Sequence, residues 1–337
     1  MTLKSTIAAA LAATMIAGMA MPAQAQISER TIRVSNGVAE DHPVGDGVAA
    51  MQQCFDERTG GAWTLNAFWS SALGDDLQAT QALRSGTQEM VVTSTSPIVG
   101  IVPALGVFDL PFLFANEQEA DAVLDGEFGQ YISDMMPEAN LINLAFWENG
   151  FRNLTNSVRP VESLEDFEGM RVRVMQNNIF LDTFQTLGTN ATPMAFGEVF
   201  TALETGAIDA QENPYVTIDT SQFYEVQDYL SNTRHAYTPF MVLFSKPIWD
   251  SYSAEEQQIL VECAEIGRDV QREASRALSD ESLARIQEAG MQVNDIPEEE
   301  MAEIREAVQG VYERNAETIG QEVIDRMMAA LEEVRAQ

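Results

Sequence analysis

The feature that most restricts the fold of this chain is an alternation of short, strand-like runs with helical segments near its beginning. Residues 31–35, Trp63–Phe68 and residues 89–93 have the composition and alternation of strands, and segments with helical spacing at 48–58 and 75–85 separate them. This βαβαβ order predicts an α/β protein with a parallel sheet covered by helices. In such sheets, ligands bind at the carboxyl ends of the strands.

A second series of the same kind follows and predicts a second domain. Its strands are expected at residues 141–147, 152–158, 171–175 and 208–212, with helices at 178–187 and 196–205. A long helical pattern then runs from residue 253 to residue 290, and a last helical region begins after Pro297. No Gly-, Ser- or Pro-rich linker separates the two series, so we expect several rigid chain crossings to join them.

The first residues have the form of a secretory signal peptide. Lys4 precedes an apolar run at residues 7–21, and Ala23-Gln24-Ala25 is a small-x-small cleavage signal. We therefore expect residues 1–25 to be removed and the rest to be exported. The alternative is an N-terminal membrane anchor, which the short run and the cleavage signal disfavour. No later segment has the ~18 uninterrupted apolar residues that a membrane helix needs.

The charge of the chain excludes several classes of partner. The formal net charge is −33, from 52 acidic and 19 basic residues. Such a field repels nucleic acid and anionic membranes. A protein this acidic can bind an anion only with local, fixed donors.

Two arginines in strand-like surroundings are candidates for those donors. Arg152 and Arg173 could each grip a carboxylate, because the planar guanidinium matches its two oxygens. The alternative for each is an ordinary ion pair with one of the many acidic side chains. Asn213 could offer further donors to a ligand oxygen, or it could simply form a turn before Pro214.

Signals for catalysis or for a bound cofactor are poor. The histidines are His42 and His235, and neither lies in a metal-binding or nucleophile motif. Cys54 and Cys263 lack metal-ligand spacing, and from the residues alone they are either a disulfide or two separate buried thiols. We therefore predict no enzyme activity, no cofactor and no metal site.

Several aromatic side chains near predicted strand ends could line a ligand cavity, although each of them alone is more typical of the core. They are Phe68, Trp69, Trp147, Phe196 and Tyr215.

Five motifs in order give the chain a resemblance to a known family. They are SSALGDD at 70–76, GMRVRV at 169–174, TPMAFGEV at 192–199, DAQENP at 209–214 and FYEVQ at 223–227. With them, the chain resembles the solute-binding receptors of TRAP transporters, the DctP-like family. The resemblance implies a two-lobed periplasmic binding protein fold, with a ligand cleft between the lobes and a long helix spanning both. Lobe I would comprise residues 26–149 and 239–278, and lobe II residues 150–238 and 279–337.

The resemblance also assigns roles within the cleft. Arg173 resembles the carboxylate-binding arginine of the family, Arg152 its second cleft arginine, and Asn213 the asparagine that contacts the same carboxylate. Phe196 resembles the aromatic residue beneath the carboxylate. Further contacts are implied for Asn36, Asp76 and Ser94, and we expect Trp69, Trp147 and Tyr215 to complete the wall.

The first lobe departs from the pattern of the sialic-acid-binding members. Ser94 stands where those members have Glu, and Trp69 stands where they have Pro. Sialic acid is therefore not the expected ligand. The resemblance also places the helices of Cys54 and Cys263 in one lobe, which favours a disulfide between them.

The function implied is that of a periplasmic receptor that is not itself embedded in the membrane. It would bind a small organic acid, either a C4-dicarboxylate or a sugar acid such as a uronate, and deliver it to the membrane permease subunits of a TRAP transporter. We expect a monomer. The alternatives are a receptor that feeds a signalling system and, less favoured, an exported hydrolase.

Overall fold

The computed structural model of the protein describes residues 27–336, so the predicted signal peptide at residues 1–25 lies outside the described residues. The strands are β1 (Arg30–Asn36), β2 (Trp63–Phe68), β3 (Met90–Ser94), β4 (Leu141–Asn156), β5 (Arg171–Val174), β6 (Asn190–Pro193), β7 (Ala210–Asn213), β8 (Tyr229–Ser245) and β9 (Gln292–Asn294). The helices are α1 (Val44–Thr59), α2 (Asp76–Arg84), α3 (Glu117–Leu124), α4 (Glu127–Ser133), α5 (Asn178–Thr186), α6 (Val199–Glu204), α7 (Tyr215–Thr220), α8 (Lys246–Trp249), α9 (Ala254–Glu288), α10 (Glu298–Ala307), α11 (Gly310–Ile319) and α12 (Gln321–Arg335).

All the strands belong to one mixed sheet with the order β2-β1-β3-β8-β4-β7-β5-β6, and β9 pairs with β8. β1 is parallel to both β2 and β3, as the first βαβαβ series predicts. β5 is likewise parallel to β6 and β7. The two parallel groups are the two halves of the sheet, and each directs the carboxyl ends of its strands toward the same region.

Two long antiparallel strands cross from one half of the sheet to the other. β4 and β8 pair along their length, from Leu141 opposite Ser245 to Asn156 opposite Tyr229. The prediction of two separate strands at 141–147 and 152–158 is wrong, because β4 continues through Gly150. That glycine has a φ of +114°, and the register shifts between Glu148 and Gly150. A bulge therefore keeps the strand continuous where the sequence pattern suggests a break.

The long helix α9 is the third connection between the two halves. Its 35 residues span about 52 Å at 1.5 Å per residue. Ser253 begins it with a capping box, in which Ser253 and Glu256 satisfy each other's backbone N–H groups. Arg272 on α9 donates to Phe146 O in β4, and Ser282 near its other end donates to Asp219 of α7. The predicted long helix therefore lies against elements of both halves.

A disulfide ties α9 to α1 in the first half. Cys54 and Cys263 form it, with their Cα atoms 5.5 Å apart and their positions separated by 209 in sequence. Both cysteines are buried in the apolar cluster that also contains Ile32, Trp63 and Trp147. The pairing is the one that the resemblance favours. Closing so long a loop restricts the unfolded chain and contributes about 5 kcal/mol in the chain-entropy account.

The C-terminal helices cover the opposite face of the sheet, where the largest apolar cluster lies. Arg335 at the end of α12 forms an ion pair with Glu119 of α3 at 2.9 Å. This contact joins residues that the resemblance would place in different lobes. Within residues 27–336, no helix is long and apolar enough to cross a membrane.

Candidate ligand-binding cleft

A cleft with about 530 Å³ of empty space lies where the carboxyl ends of the parallel strands meet. Asn36 ends β1, Ser94 ends β3, Arg173 lies in β5, and Asn213 ends β7, and all four line this cleft. The two halves of the sheet therefore contribute to one site, as the parallel-strand arrangement predicts. The other lining residues are Gly37, Val38, Asp75, Asp76, Pro97, Asn149, Arg152, Met175, Gln176, Met194, Phe196, Thr217 and Phe240.

Arg173 is a buried cation that forms no ion pair with any carboxylate of residues 27–336. It is 2% exposed, and its Nε and Nη2 donate to Met194 O at 3.0 and 2.8 Å. These bonds fix the guanidinium, while Nη1 has no hydrogen-bond partner among the described residues. Burial lowers the pKa of Arg173 to about 10, so the group still carries its charge at neutral pH. Arg173 therefore places a fixed positive charge in the cleft, and its unused N–H groups can donate hydrogen bonds to an anion.

Arg152 has a different role, because an internal carboxylate balances its charge. Its Nε and Nη2 lie 2.5 and 2.9 Å from the Glu212 carboxylate, and both side chains are almost fully buried. Burial alone would raise the pKa of Glu212, but the charge of Arg152 and a hydrogen bond from His235 outweigh it and lower that pKa to about 2. Arg152 thus lines the cleft as half of an ion pair. Its Nη1 has only a long contact, 3.4 Å to Thr238 Oγ1.

Asn213 is held by the same network. Its Oδ1 accepts from Arg152 Nη2 at 3.0 Å, and its Nδ2 donates to Gln211 Oε1 at 2.5 Å. One of the two N–H donors expected to serve a ligand is therefore used within the protein. The amide lies at the end of β7 in a fixed orientation.

Two further side chains present unpartnered polar atoms to the cleft. Ser94 Oγ and Asn149 Oδ1 are buried and have no hydrogen-bond partner among the described residues, like Arg173 Nη1. Asn149 is held by its Nδ2, which donates to Thr238 Oγ1 at 3.1 Å. Because buried polar groups are nearly always hydrogen-bonded, three such atoms in one cavity wall indicate a site for a polar ligand.

Asn36 and Asp76 line the cleft from the first half of the sheet. The Asn36 amide is used within the protein, since its Nδ2 donates to Val92 O at 2.7 Å and its Oδ1 accepts from Val38 N at 2.6 Å. Asp76 begins α2 and forms no ion pair with any described residue. Burial raises the pKa of Asp76 to about 6.

Phe196 connects the apolar parts of the two halves. It packs against the cluster around Trp63 and also against the cluster around Phe223. Its ring centroid lies 6.0 Å from Arg173 Cζ, within reach of a weak cation–π contact. The aromatic residue expected beneath the carboxylate is therefore next to the arginine.

The prediction that Trp147 lines the cleft is wrong. Its side chain is fully buried, and its Nε1 donates to Ala264 O at 3.0 Å. A Cβ on Gly47 or on Gly267 would come within 2.5 or 2.7 Å of the indole. The two glycines, on α1 and α9, therefore form a slot that places Trp147 in the core. In the sequence, a glycine within each of two helical segments is the feature that could have indicated this close approach.

Two other predicted wall residues also lie elsewhere. Trp69 packs against the apolar cluster of the first half and is not among the lining residues. Tyr215 lines a separate groove beside Arg234 and Arg276, where its hydroxyl donates to Asn232 Oδ1 at 2.6 Å. Sequence reasoning placed each at a strand end but could not give the direction of its side chain.

The sequence analysis missed Asn149, Gln176, Thr217 and Phe240 as lining residues. Asn149 could have been found from the Asn-Gly pair at 149–150, which marks the bulge in β4. Within residues 27–336, no group of His, Cys, Asp and Glu side chains could hold a metal ion. Among the described residues, the cleft thus offers hydrogen-bonding atoms, the guanidinium of Arg173 without an ion pair and the carboxyl group of Asp76 without an ion pair.

Comparison with known proteins gives a consistent result. The family model described as "Bacterial extracellular solute-binding protein, family 7" (DctP) matches residues 34–318. The 2,3-diketo-L-gulonate-binding periplasmic protein of Escherichia coli (strain K12) is 33% identical over 278 residues, which cover 82% of this chain and 85% of that protein.

Two solved structures share the fold over nearly the whole chain. The sugar acid binding protein DctPAm from Advenella mimigardefordensis, in complex with galactonate, is 42% identical with a TM-score of 0.89, covering 91% of this chain and 99% of that one. A TRAP periplasmic solute binding protein from Polaromonas sp. JS666, bound to D-erythronate, is 35% identical with a TM-score of 0.85, covering 89% of this chain and 99% of that one.

Proposed function

This chain belongs to the DctP family of TRAP solute-binding proteins, bacterial extracellular solute-binding protein family 7, and from that premise we propose that it is a periplasmic receptor for a sugar acid. Its α/β structure is the two-lobed fold of those proteins. Its family consists of proteins that bind solutes, which agrees with the lack of a catalytic motif in the sequence.

The main support for this proposal is the environment of the Arg173 guanidinium. Its guanidinium is buried, fixed by Met194 O, and free of any described carboxylate, so its charge is uncompensated by a direct partner. A buried unpaired charge is costly in the free protein. A ligand carboxylate on the free edge of the guanidinium would remove that cost and form charge-assisted hydrogen bonds.

The rest of the cleft favours a hydroxylated acid. Ser94 Oγ can donate or accept, and Asn149 Oδ1 can accept, so both suit ligand hydroxyl groups. Arg152 and Asn213 support the arginine end of the site, and Phe196 packs beside it. The relatives bound to galactonate and D-erythronate are consistent with a ligand of this kind.

The partner of the loaded receptor would be the permease subunits of a TRAP transporter in the inner membrane. We propose that a monomer delivers the acid after the lobes close over it. Lobe I would comprise residues 26–149 and 239–278, and lobe II residues 150–238 and 279–337. Phe196, which packs against apolar clusters on both sides of the cleft, would then contribute to the closed form.

A thermal-shift series tests this function. Galactonate, erythronate, glucuronate and succinate are compared with the neutral polyol galactitol, each at millimolar concentration. A ligand that binds only the folded protein stabilises it by about 2.7 kcal/mol at a hundred times its Kd. At least one sugar acid should therefore raise the Tm by several degrees, and galactitol should not. If none of the acids raised the Tm, the proposed receptor function would be wrong.

A further inference from the structure

The charged side chains that line the cleft point to the kind of acid it accepts. We propose that Asp76 makes the cleft selective for acids with one carboxylate and hydroxyl groups, and against dicarboxylates of the same length. This inference rests on the proposed function and adds a specificity-determining residue to it.

Four charged residues line the cleft: Asp75, Asp76, Arg152 and Arg173. The charge of Arg152 is neutralised by Glu212. Asp75 is the N-cap of α2, where its Oδ1 accepts from Gln78 N at 2.8 Å. Among the described lining residues, Arg173 is therefore the one cation without an ion pair. Its positive charge is the one available to a ligand.

Asp76 is the matching negative charge. Its carboxylate lies against the backbone at Gly37, where an added Cβ would be 3.4 Å from Asp76 Oδ1. No described cation forms an ion pair with it. Burial raises the pKa of Asp76 by more than a hydrogen bond with the Thr93 side chain and the longer-range field of Arg173 lower it. The cleft thus pairs one free cation with one free carboxylate, which suits a ligand with a carboxylate at one end and hydroxyl donors at the other.

With one carboxylate on Arg173, a dicarboxylate would bring a second negative charge into a cleft that Asp75 and Asp76 also line. The complex could avoid this repulsion by binding a proton on Asp76, whose pKa burial raises to about 6. Each pH unit above that value costs a factor of ten in affinity. At pH 7.5 the penalty for the second carboxylate is therefore roughly 30-fold, and it disappears below pH 6. Arg173, with a pKa of about 10, and Glu212, with a pKa of about 2, keep their charges between these pH values.

Two matched ligand pairs test the inference by calorimetry at pH 7.5. Galactonate and galactarate share a six-carbon chain, erythronate and tartrate share a four-carbon chain, and the second acid of each pair differs by one further carboxylate. Wild-type protein should prefer the monocarboxylate by about 30-fold. Asp76→Asn keeps the size and an acceptor oxygen but removes the charge, so the preference should fall to within about threefold, mainly through tighter binding of the dicarboxylate.

Asp250→Asn is the control, because it removes one charge from an exposed side chain paired with Lys246 and should leave the preference unchanged. Equal affinity of the wild-type protein for both acids of a pair, or an unchanged preference in Asp76→Asn, would overturn the inference and leave the receptor function standing. If the wild-type protein bound none of the four acids, the selectivity proposal would fail, and the receptor function would fail as well if glucuronate and succinate also left the Tm unchanged.

Discussion

Replacing Arg173 by alanine is expected to weaken the binding of a sugar acid by about a hundredfold or more. The substitution leaves the ligand carboxylate in a closed cleft without its buried cationic partner, and removing one side of such a pair typically costs ~3–5 kcal/mol. Isothermal titration calorimetry with galactonate measures the loss. Arg173→Lys keeps the charge but loses the planar guanidinium that can donate two hydrogen bonds to one carboxylate. We therefore expect its affinity to lie between that of Arg173→Ala and that of the wild-type protein.

Arg171→Ala is the matched control for this result. Arg171 lies two residues away on the same strand, but it is half exposed and forms a surface ion pair with Asp209. Its removal should change galactonate affinity by less than about threefold, since exposed pairs contribute ~0–1 kcal/mol. Normal binding by Arg173→Ala would show that the carboxylate is held elsewhere.

Replacing Glu212 by glutamine is expected to lower the free energy of unfolding by about 3–5 kcal/mol at pH 7. The substitution leaves Arg152 fully buried with its charge uncompensated, and loss of one member of a buried pair has a cost of this size. Urea unfolding measures it. Glu322→Gln, which breaks an exposed pair with Arg326, should cost less than about 1 kcal/mol.

The pH dependence of this effect has a defined sign. The pKa of Glu212 is lowered to about 2 in the folded protein, against 4.5 for the free side chain. The carboxylate therefore contributes its full stability above pH 4.5, and the contribution is lost as the pH falls toward 2. The difference between wild type and Glu212→Gln should narrow over that range. A difference that stayed below about 1 kcal/mol at pH 7 would mean that Arg152 does not depend on Glu212.

The two groups of parallel strands and the sheet edge at which the cleft lies could be predicted from the sequence because they follow from local patterns. The alternation of strand-like and helical runs gave the parallel groups, and parallel strands bring Asn36, Ser94, Arg173 and Asn213 to one edge. The individual interpretation of Arg173 came from the family motif around it. Strand position alone did not separate it from Arg171 on the same strand.

The roles that depend on distant partners could not be predicted. Arg152 and Glu212 are 60 residues apart in sequence, so nothing local showed that the arginine was already paired. Trp147 appeared to be a cleft residue because the slot that holds it is formed by Gly47 and Gly267, on two helices far apart in the chain. In both cases tertiary packing decided the role of a side chain whose strand position was predicted correctly.

The central claim is that Arg173 holds the carboxylate of a bound acid. A crystal structure of the protein grown with galactonate tests it most directly. We expect a ligand carboxylate oxygen within about 3 Å of Arg173 Nη1, the distance of a charge-assisted hydrogen bond, with ligand hydroxyl groups near Ser94 Oγ and Asn149 Oδ1. A ligand whose carboxylate lay away from Arg173, for example beside Arg234 in the groove that Tyr215 lines, would contradict it.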